Sequence, residues 1–167
     1  LLKRSPADGY TLMMLATPTL FAPFFYRNVG YETPKDFQPV ATVYDLPIVV
    51  VTNPQKLPEV ASLKQLVDYA RAHPGELNYT SSGAGSFGHM TMERLQDVGD
   101  FRMQHVAYKG GVPAITDTIG GQVPMMYADL VAALPHIQAG KLRALAVGSP
   151  SRVSVLPDVP TIGEQGF

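Results

Sequence analysis

Between residues 77 and 148 the sequence repeats one pattern: a short apolar run of strand length, then a turn, then a stretch with helix signals. The apolar runs lie at 77–81, 104–108, 123–127 and 142–148. Strands that alternate with helices favour a mainly parallel α/β sheet with helices on both faces. We therefore predict one compact α/β lobe over about residues 48–148.

The helix signals in this region are local and specific. Ser62 and Gln65 have the spacing of a capping box, and the apolar residues that follow share one helical face until Pro74-Gly75 ends the helix. A second helix is predicted over about 86–98, and a third between Gly110-Gly111 and Gly120-Gly121.

A fourth helix is predicted to follow Asp129, a residue type that caps helix N-termini well, and to end at Gly140. Pro135 lies inside this stretch, so we expect a kink or a late start.

The residues before this lobe are less regular. Tyr10–Ala16, Val40–Tyr44 and Ile48–Thr52 have strand-like composition, whereas Thr17–Phe25 contains two prolines and is predicted to be a loop with at most one helical turn. Residues 27–39 are predicted to be a surface connection, and the Pro- and Ser-rich stretch 149–160 is predicted to leave the α/β unit.

Composition excludes several classes of function. Apolar residues make up 46% of the 167 residues and charged residues 16%, which is typical of a globular chain. The net charge is −1 without clusters of Lys and Arg, so no nucleic-acid partner is expected. There is no Cys, and the four His residues lack the short spacings of local zinc ligands, so neither a metal site nor a cofactor is predicted.

Three strand–helix junctions are candidate ligand sites, because ligands of parallel α/β sheets bind at the carboxyl ends of strands, over helix N-termini. The junctions are residues 81–89, 108–111 and 128–130. The first is rich in Gly and Ser, which offer backbone N–H groups and hydroxyls, and the second supplies the cation Lys109. Together they suit a carboxylate or a phosphate.

Each of these residues also has a purely structural interpretation. Gly and Ser are common turn residues, and a lysine is most often solvated. Asp129 is by default a helix cap and nothing more. His89 lies four residues before Glu93 and can form a helix-surface pair with it. No role is assigned to His105 or His136.

Two enzyme classes stay open as alternatives. Residues 83–88 match G-x-G-x-x-G between a strand and a helix, but a dinucleotide site needs an acid after the next strand, where Tyr108-Lys109 stand instead. Ser81, Ser82 or Ser86 with His89 and Asp129 would supply the residue types of a hydrolase, but there is no G-x-S-x-G elbow.

The same junctions, with further segments in order along nearly the whole chain, resemble the substrate-binding receptors of tripartite tricarboxylate transporters, the Bug family. The matching segments are 6–12 (PADGYTL), 35–40 (KDFQPV), 77–86 (LNYTSSGAGS) with His89, 106–111 (VAYKGG), 121–123 (GQV), 128–129 (AD), 139–147 (AGKLRALAV) and 156–161 (LPDVPT).

The resemblance implies a type II periplasmic-binding-protein-like fold of two lobes that close on a carboxylate, and a receptor rather than an enzyme. Residues 1–47 would belong to a partial first lobe and hinge, 48–148 to the second lobe, and 149–167 to a segment returning to the first. It also implies a periplasmic location, although no signal peptide lies in this sequence, and membrane transporter subunits as partners. The implied ligand-binding residues are Thr17, Thr19, Ser81, Gly83, Gly85, Ser86, His89, Tyr108, Lys109 and Asp129.

Family members are expected to be about twice as long, since a pair of lobes needs two cores. We interpret both ends of the chain as arbitrary relative to the fold. Apolar side chains near the N-terminus are therefore expected to remain uncovered unless a second chain, as in a homodimer, covers them. These side chains are Tyr10, Leu12, Met13, Phe21, Phe24 and Phe25.

Overall fold

The computed structural model describes residues 2–15, 17–43 and 45–167; the side chains of residues 17, 18, 25 and 34 lie outside the description. The chain divides into two compact units, residues 1–45 and 46–167. The larger unit contains the predicted α/β lobe.

Five strands form one sheet in the larger unit: β1 (Ile48–Thr52), β2 (Asn78–Ser81), β3 (Gln104–Ala107), β4 (Met125–Asp129) and β5 (Arg143–Val147). Their order across the sheet is β3-β2-β4-β1-β5. Strand β2 pairs in parallel with β3 and β4, whereas β1 pairs antiparallel with β4 and β5. The predicted strands are confirmed, and the sheet is mixed because β1 opposes the other four.

Four helices cover the two faces of this sheet: α3 (Leu63–Ala72), α4 (Phe87–Gly99), α5 (Gly111–Gly120) and α6 (Leu130–Gln138). One apolar core joins α3 and α4 to side chains such as Val50 and Tyr127, and a second joins α5 and α6 to Val49 and Met126. Neighbouring residues of one strand enter opposite cores because strand side chains alternate in direction. The prediction of helices on both faces is confirmed.

The predicted caps of α3 and α4 are present. The Ser62 Oγ atom accepts the Gln65 N–H at 3.1 Å, while the Gln65 side chain accepts the Ala61 N–H at 2.7 Å. The Ser86 Oγ atom accepts the His89 N–H at 3.3 Å at the start of α4. These bonds satisfy N–H groups that have no partner inside the helix.

The start of α6 differs from the prediction. Asp129 occupies the N-cap position, but its side chain makes no capping hydrogen bond. The helix begins at Leu130 and contains Pro135, so the late start is wrong.

After β5 the chain forms one parallel bridge between Val147 and Thr161, and the Gln165 side chain donates to the Leu145 carbonyl at 2.9 Å. The return of residues 149–167 to a first lobe stays a prediction.

The smaller unit holds two short helices, α1 (Thr17–Phe25) and α2 (Thr33–Asp36). The prediction of a loop at 17–25 is wrong. Pro23 lies inside α1 and lacks the N–H that would bond the Thr19 carbonyl four residues earlier. The Tyr31 hydroxyl donates to that carbonyl instead, at 2.8 Å, so the helix tolerates the proline.

The strand-like runs of the smaller unit form no strands at residues 10–15 and 40–43; Ala16 and Tyr44 lie outside the described residues. A run of strand composition becomes a strand only when another strand supplies hydrogen-bond partners. Tyr10, Leu12 and Phe24 expose 92%, 73% and 82% of their surface, as expected for uncovered apolar groups, and Met13 is also exposed. Phe21 is half-buried, and the Phe25 side chain is not described.

Candidate ligand-binding site

The three predicted junctions meet at one edge of the sheet. Strands β2, β3 and β4 run parallel, so the turns that follow them lie at the same edge. The Gly110 N–H donates to the Ser82 carbonyl at 3.1 Å, which joins the first junction to the second. A Cβ atom at Gly88 would lie 2.6 Å from the Tyr127 carbonyl oxygen, so the start of α4 packs directly on the end of β4. We call this edge, residues 81–89, 108–111 and 128–130, the rim.

Two of the three serines of the first junction, Ser81 and Ser86, are buried, whereas Ser82 is exposed. Ser81 is fully buried and Ser86 is 4% exposed. The Ser86 hydroxyl donates to the Ser81 Oγ atom at 3.1 Å, and the Gly83 N–H donates to the same atom at 3.3 Å. These hydroxyls therefore hold the shape of the turn, and the prediction that they add hydrogen bonds to a ligand has no support from their orientation.

The two predicted glycines shape the same turn. Gly83 has φ of 142° and Gly85 has φ of 75°, a backbone region that favours glycine. The Gly85 N–H is already donated to the Nδ1 atom of His89 at 3.0 Å. The N–H groups of Phe87 and Gly88, in the first turn of α4, have no acceptor within the helix. Phe87 is exposed and Gly88 is buried, and N–H groups at such a helix N-terminus suit an anion.

A cluster of polar and aromatic side chains lies behind the turn. The His105 ring stacks on Tyr79, with ring centroids 4.9 Å apart, and on His89, with centroids 3.9 Å apart. The Tyr79 hydroxyl donates to Glu93 at 2.5 Å, and the Nε2 atom of His105 lies 2.7 Å from the Ser81 hydroxyl. The pKa of His105 is lowered to about 4, mainly by burial and in part by the nearby His89, against an opposing effect of Glu93.

Sequence reasoning missed this cluster, since it assigned no role to His105 and did not consider Tyr79. The contact follows from the register of β2 and β3, which places Tyr79 directly opposite His105. Residue spacing within one strand does not reveal the register with its neighbour. The pairing of His89 with Glu93 is present, with 3.9 Å between His89 Nε2 and Glu93 Oε1.

Tyr108 and Lys109 follow β3 at the rim. The Tyr108 hydroxyl donates to Asp117 of α5 at 2.6 Å, and this bond raises the pKa of Tyr108. Its half-buried ring packs against the second core, so the side chain anchors the junction. Lys109 is exposed, and within the described part of the chain it forms no ion pair.

Asp129 brings a carboxylate to the same rim, and partial burial raises its pKa. Its charge opposes that of Lys109, so the two formal charges cancel at neutral pH.

The remaining predicted residues, Thr17 and Thr19, belong to the smaller unit. The Thr17 side chain lies outside the description, and Thr19 lines a cavity of about 430 Å³ together with residues such as Arg4 and Tyr31.

The geometry weakens the hydrolase alternative at Ser81. Ser81 and His105 form a Ser–His hydrogen bond, but Ser81 is fully buried and its hydroxyl cannot reach a substrate. The close contact of Gly88 with the Tyr127 carbonyl is also expected of the third glycine in a dinucleotide fingerprint, so the missing acid after β3 is what opposes the dinucleotide alternative. Across the described residues, no group of three or more His, Asp or Glu side chains can hold a metal ion, and no helix is long and apolar enough to cross a membrane.

Comparison with known proteins gives consistent matches. The family described as tripartite tricarboxylate transporter family receptor matches residues 1–167. Protein BugT of Bordetella pertussis is 36% identical over 166 residues, which cover 98% of this chain and 50% of BugT. The chain spans about half the length of most of the curated relatives that it matches.

Two solved structures are similar over nearly the whole chain. Periplasmic binding protein BugD is 30% identical with a TM-score of 0.84, and Rpa4515 of R. palustris, solved with adipate, is 35% identical with a TM-score of 0.83. Each match covers 99% of this chain and 55% of the other. The mixed α/β sheet is thus that of periplasmic binding proteins.

Proposed function

Because the chain belongs to the tripartite tricarboxylate transporter receptor family, we propose that it forms part of an extracytoplasmic receptor that captures a small carboxylate at the rim. The N-terminus of α4 supports this proposal most directly. It presents N–H groups and the positive end of a helix dipole at the same rim as the cation Lys109, and both favour an anion.

A dicarboxylate is the ligand class that we propose. Adipate occupies the structure of Rpa4515, a relative that matches 99% of this chain. One carboxylate would lie on the first turn of α4, near the N–H groups of Phe87 and Gly88, with the Lys109 ammonium nearby. Gly83 and Gly85 would let the turn keep its shape around the anion, because both have a positive φ that residues with a side chain rarely adopt.

Reversible capture fits these donors. Neutral N–H groups hold a carboxylate less tightly than a buried bidentate arginine would, and they are already oriented before the ligand arrives. Asp129 would restrict which ligands fit, since its carboxylate disfavours a second anionic group nearby unless the ligand offers it a hydrogen-bond donor. As a family receptor, the protein would work in the periplasm and deliver its ligand to membrane subunits of a tripartite transporter.

Calorimetric titration of the full-length receptor with adipate tests this proposal. We expect binding without consumption of adipate, and about threefold weaker binding with lower salt sensitivity in Lys109→Ala, since one partly screened charge is lost. Lys141→Ala is the matched control. Lys141 is also exposed but precedes β5, which runs parallel to β4, so it lies at the opposite edge of the sheet.

Two results would contradict the proposal. If Lys109→Ala and Lys141→Ala changed the affinity equally, the ligand would not bind at the rim. Turnover of the carboxylate would favour an enzyme. A panel with a tricarboxylate, an acidic amino acid and an aromatic acid beside adipate would define the ligand class.

A further inference from the structure

The fully buried hydroxyl of Ser81 has more neighbours than one hydroxyl can serve. Its Oγ atom lies 3.1 Å from the Ser86 hydroxyl and 3.3 Å from the Gly83 N–H, both of which donate to it. It also lies 2.7 Å from His105 Nε2 and 3.0 Å from the Gly83 carbonyl oxygen. A hydroxyl has one proton to donate and two lone pairs that accept.

The number of donors and acceptors around the Ser81 hydroxyl decides whether Ser81 or His105 donates in the bond between them. The Ser86 hydroxyl and the Gly83 N–H fill both lone pairs of Ser81, so the single Ser81 proton must go to an acceptor. The Nε2 atom of His105 is closer than the Gly83 carbonyl, by 2.7 Å against 3.0 Å. An imidazole that accepts at Nε2 is neutral and carries its proton on Nδ1.

The surroundings of His105 hold the ring in place for this role. It stacks on Tyr79, whose hydroxyl is fixed by Glu93, and on His89, which follows the turn. The pKa of His105 is about 4, with burial as the main cause, so the imidazole is neutral at ordinary pH. The side chains that face it therefore come from β2 and α4, which are the two elements joined by the glycine-rich turn.

We propose that His105 is a positioning residue of the carboxylate site: its Nε2 atom accepts the Ser81 hydroxyl proton, and Ser81 in turn fixes Gly83 and Ser86. This inference rests on the proposed function, because the proposed function is what gives the turn its ligand-binding role. His105 does not touch the ligand. It ties the turn to β3, so that the first N–H groups of α4 stay aimed at the anion.

Three variants of the full-length receptor separate this role from packing, with adipate as the probe. His105→Phe keeps a ring for stacking but removes the acceptor, and we expect about tenfold weaker binding, the usual effect of one lost buried hydrogen bond. His105→Gln places an amide oxygen near the former Nε2 position, and we expect binding within about threefold of the parent. His73→Phe is the control, since His73 also stacks on a tyrosine, Tyr69, but lies at the end of α3.

The tautomer of His105 gives a second readout that does not need a ligand. Long-range proton–nitrogen NMR correlations distinguish an imidazole protonated at Nδ1 from one protonated at Nε2, and we expect the Nδ1–H form in the parent. Equal loss of affinity in His105→Phe and His105→Gln would show that His105 acts only through packing. An Nε2–H tautomer would show that His105 donates to Ser81 and does not accept from it. Either result overturns the inference.

The two proposals fail in different ways. A parent receptor that binds no carboxylate would refute the proposed function, and with it any role of His105 in such a site. A parent that binds adipate, together with a His105→Phe variant that binds equally well, would refute the inference alone.

Discussion

The buried position of His105 makes the stability of the protein depend on pH in a defined direction. In the folded chain the pKa of His105 lies at about 4, below the value of 6.5 of a solvated histidine. The unfolded chain therefore binds a proton between these values while the folded chain does not. By linkage, the contribution of His105 is fully present above pH 6.5 and is lost as the pH falls toward the folded pKa.

The magnitude follows from the two pKa values. Integrating the difference in proton binding from about pH 7 to about pH 4.5 gives a loss of about 2 kcal/mol, after a reduction for the partial exposure of the ring. His105→Gln removes the titrating group but keeps an amide at that place. We therefore expect the unfolding free energy of the parent to fall by about 2 kcal/mol more than that of His105→Gln over this range.

Urea unfolding of both proteins, followed by circular dichroism at several pH values, measures this difference. Other groups, such as Asp36 and Glu164 with lowered pKa values and Asp129 with a raised one, also titrate, but they are common to both proteins and cancel. Parallel curves for the parent and His105→Gln would show that His105 is no harder to protonate in the folded chain, and the argument from burial would be refuted.

Three further substitutions test the packing around the rim through the unfolding free energy. Gly88→Ala should cost about 2 kcal/mol or more, because its Cβ would lie 2.6 Å from the Tyr127 carbonyl oxygen; an unchanged midpoint in urea would contradict this contact. Tyr127→Phe should be neutral or stabilising, since the buried hydroxyl has no hydrogen-bond partner among the described residues; a loss of more than about 1 kcal/mol would reveal one. Ser86→Ala should cost about 1–2 kcal/mol of stability by removing the cap of α4, and calorimetry with adipate should show whether affinity falls as well.

The order of strands and helices in the larger unit was predictable because each signal is local. A capping serine, a glycine at a helix end and a short apolar run each act within a few residues, and the strands after β1 and all four helices were found from them. The direction of β1 was not predictable in this way. It depends on β4 and β5, which are more than 70 residues away along the chain, as their pairings with Ile48 and Thr52 show.

The smaller unit shows the converse error. Two prolines in residues 17–25 argued against a helix, yet α1 forms because Tyr31, outside the helix, supplies the donor that Pro23 lacks. The strand-like composition of residues 10–15 predicted a strand that is absent, since composition cannot provide a pairing partner. Both outcomes depend on residues distant from the pattern that was interpreted.

The family and its fold were recognised from the motifs, and the match over residues 1–167 confirms that recognition. The chemistry of the rim was predicted less well. Motifs revealed which residues stand at the junctions, but not that the hydroxyls of Ser81 and Ser86 turn inward, because that depends on His105 and on the register of two strands. The ligand-binding residues themselves stay a prediction.

This inward orientation changes what can recognise the anion. If the serine hydroxyls faced the ligand, each would add a donor whose rotation had to be frozen on binding, at a cost in entropy. Because Ser81 and Ser86 are already bonded, their ordering is complete before a ligand arrives, and the first N–H groups of α4 are held by the same bonds. Substitutions behind the turn, at His105 above all, should therefore weaken carboxylate binding without removing any group that touches the ligand.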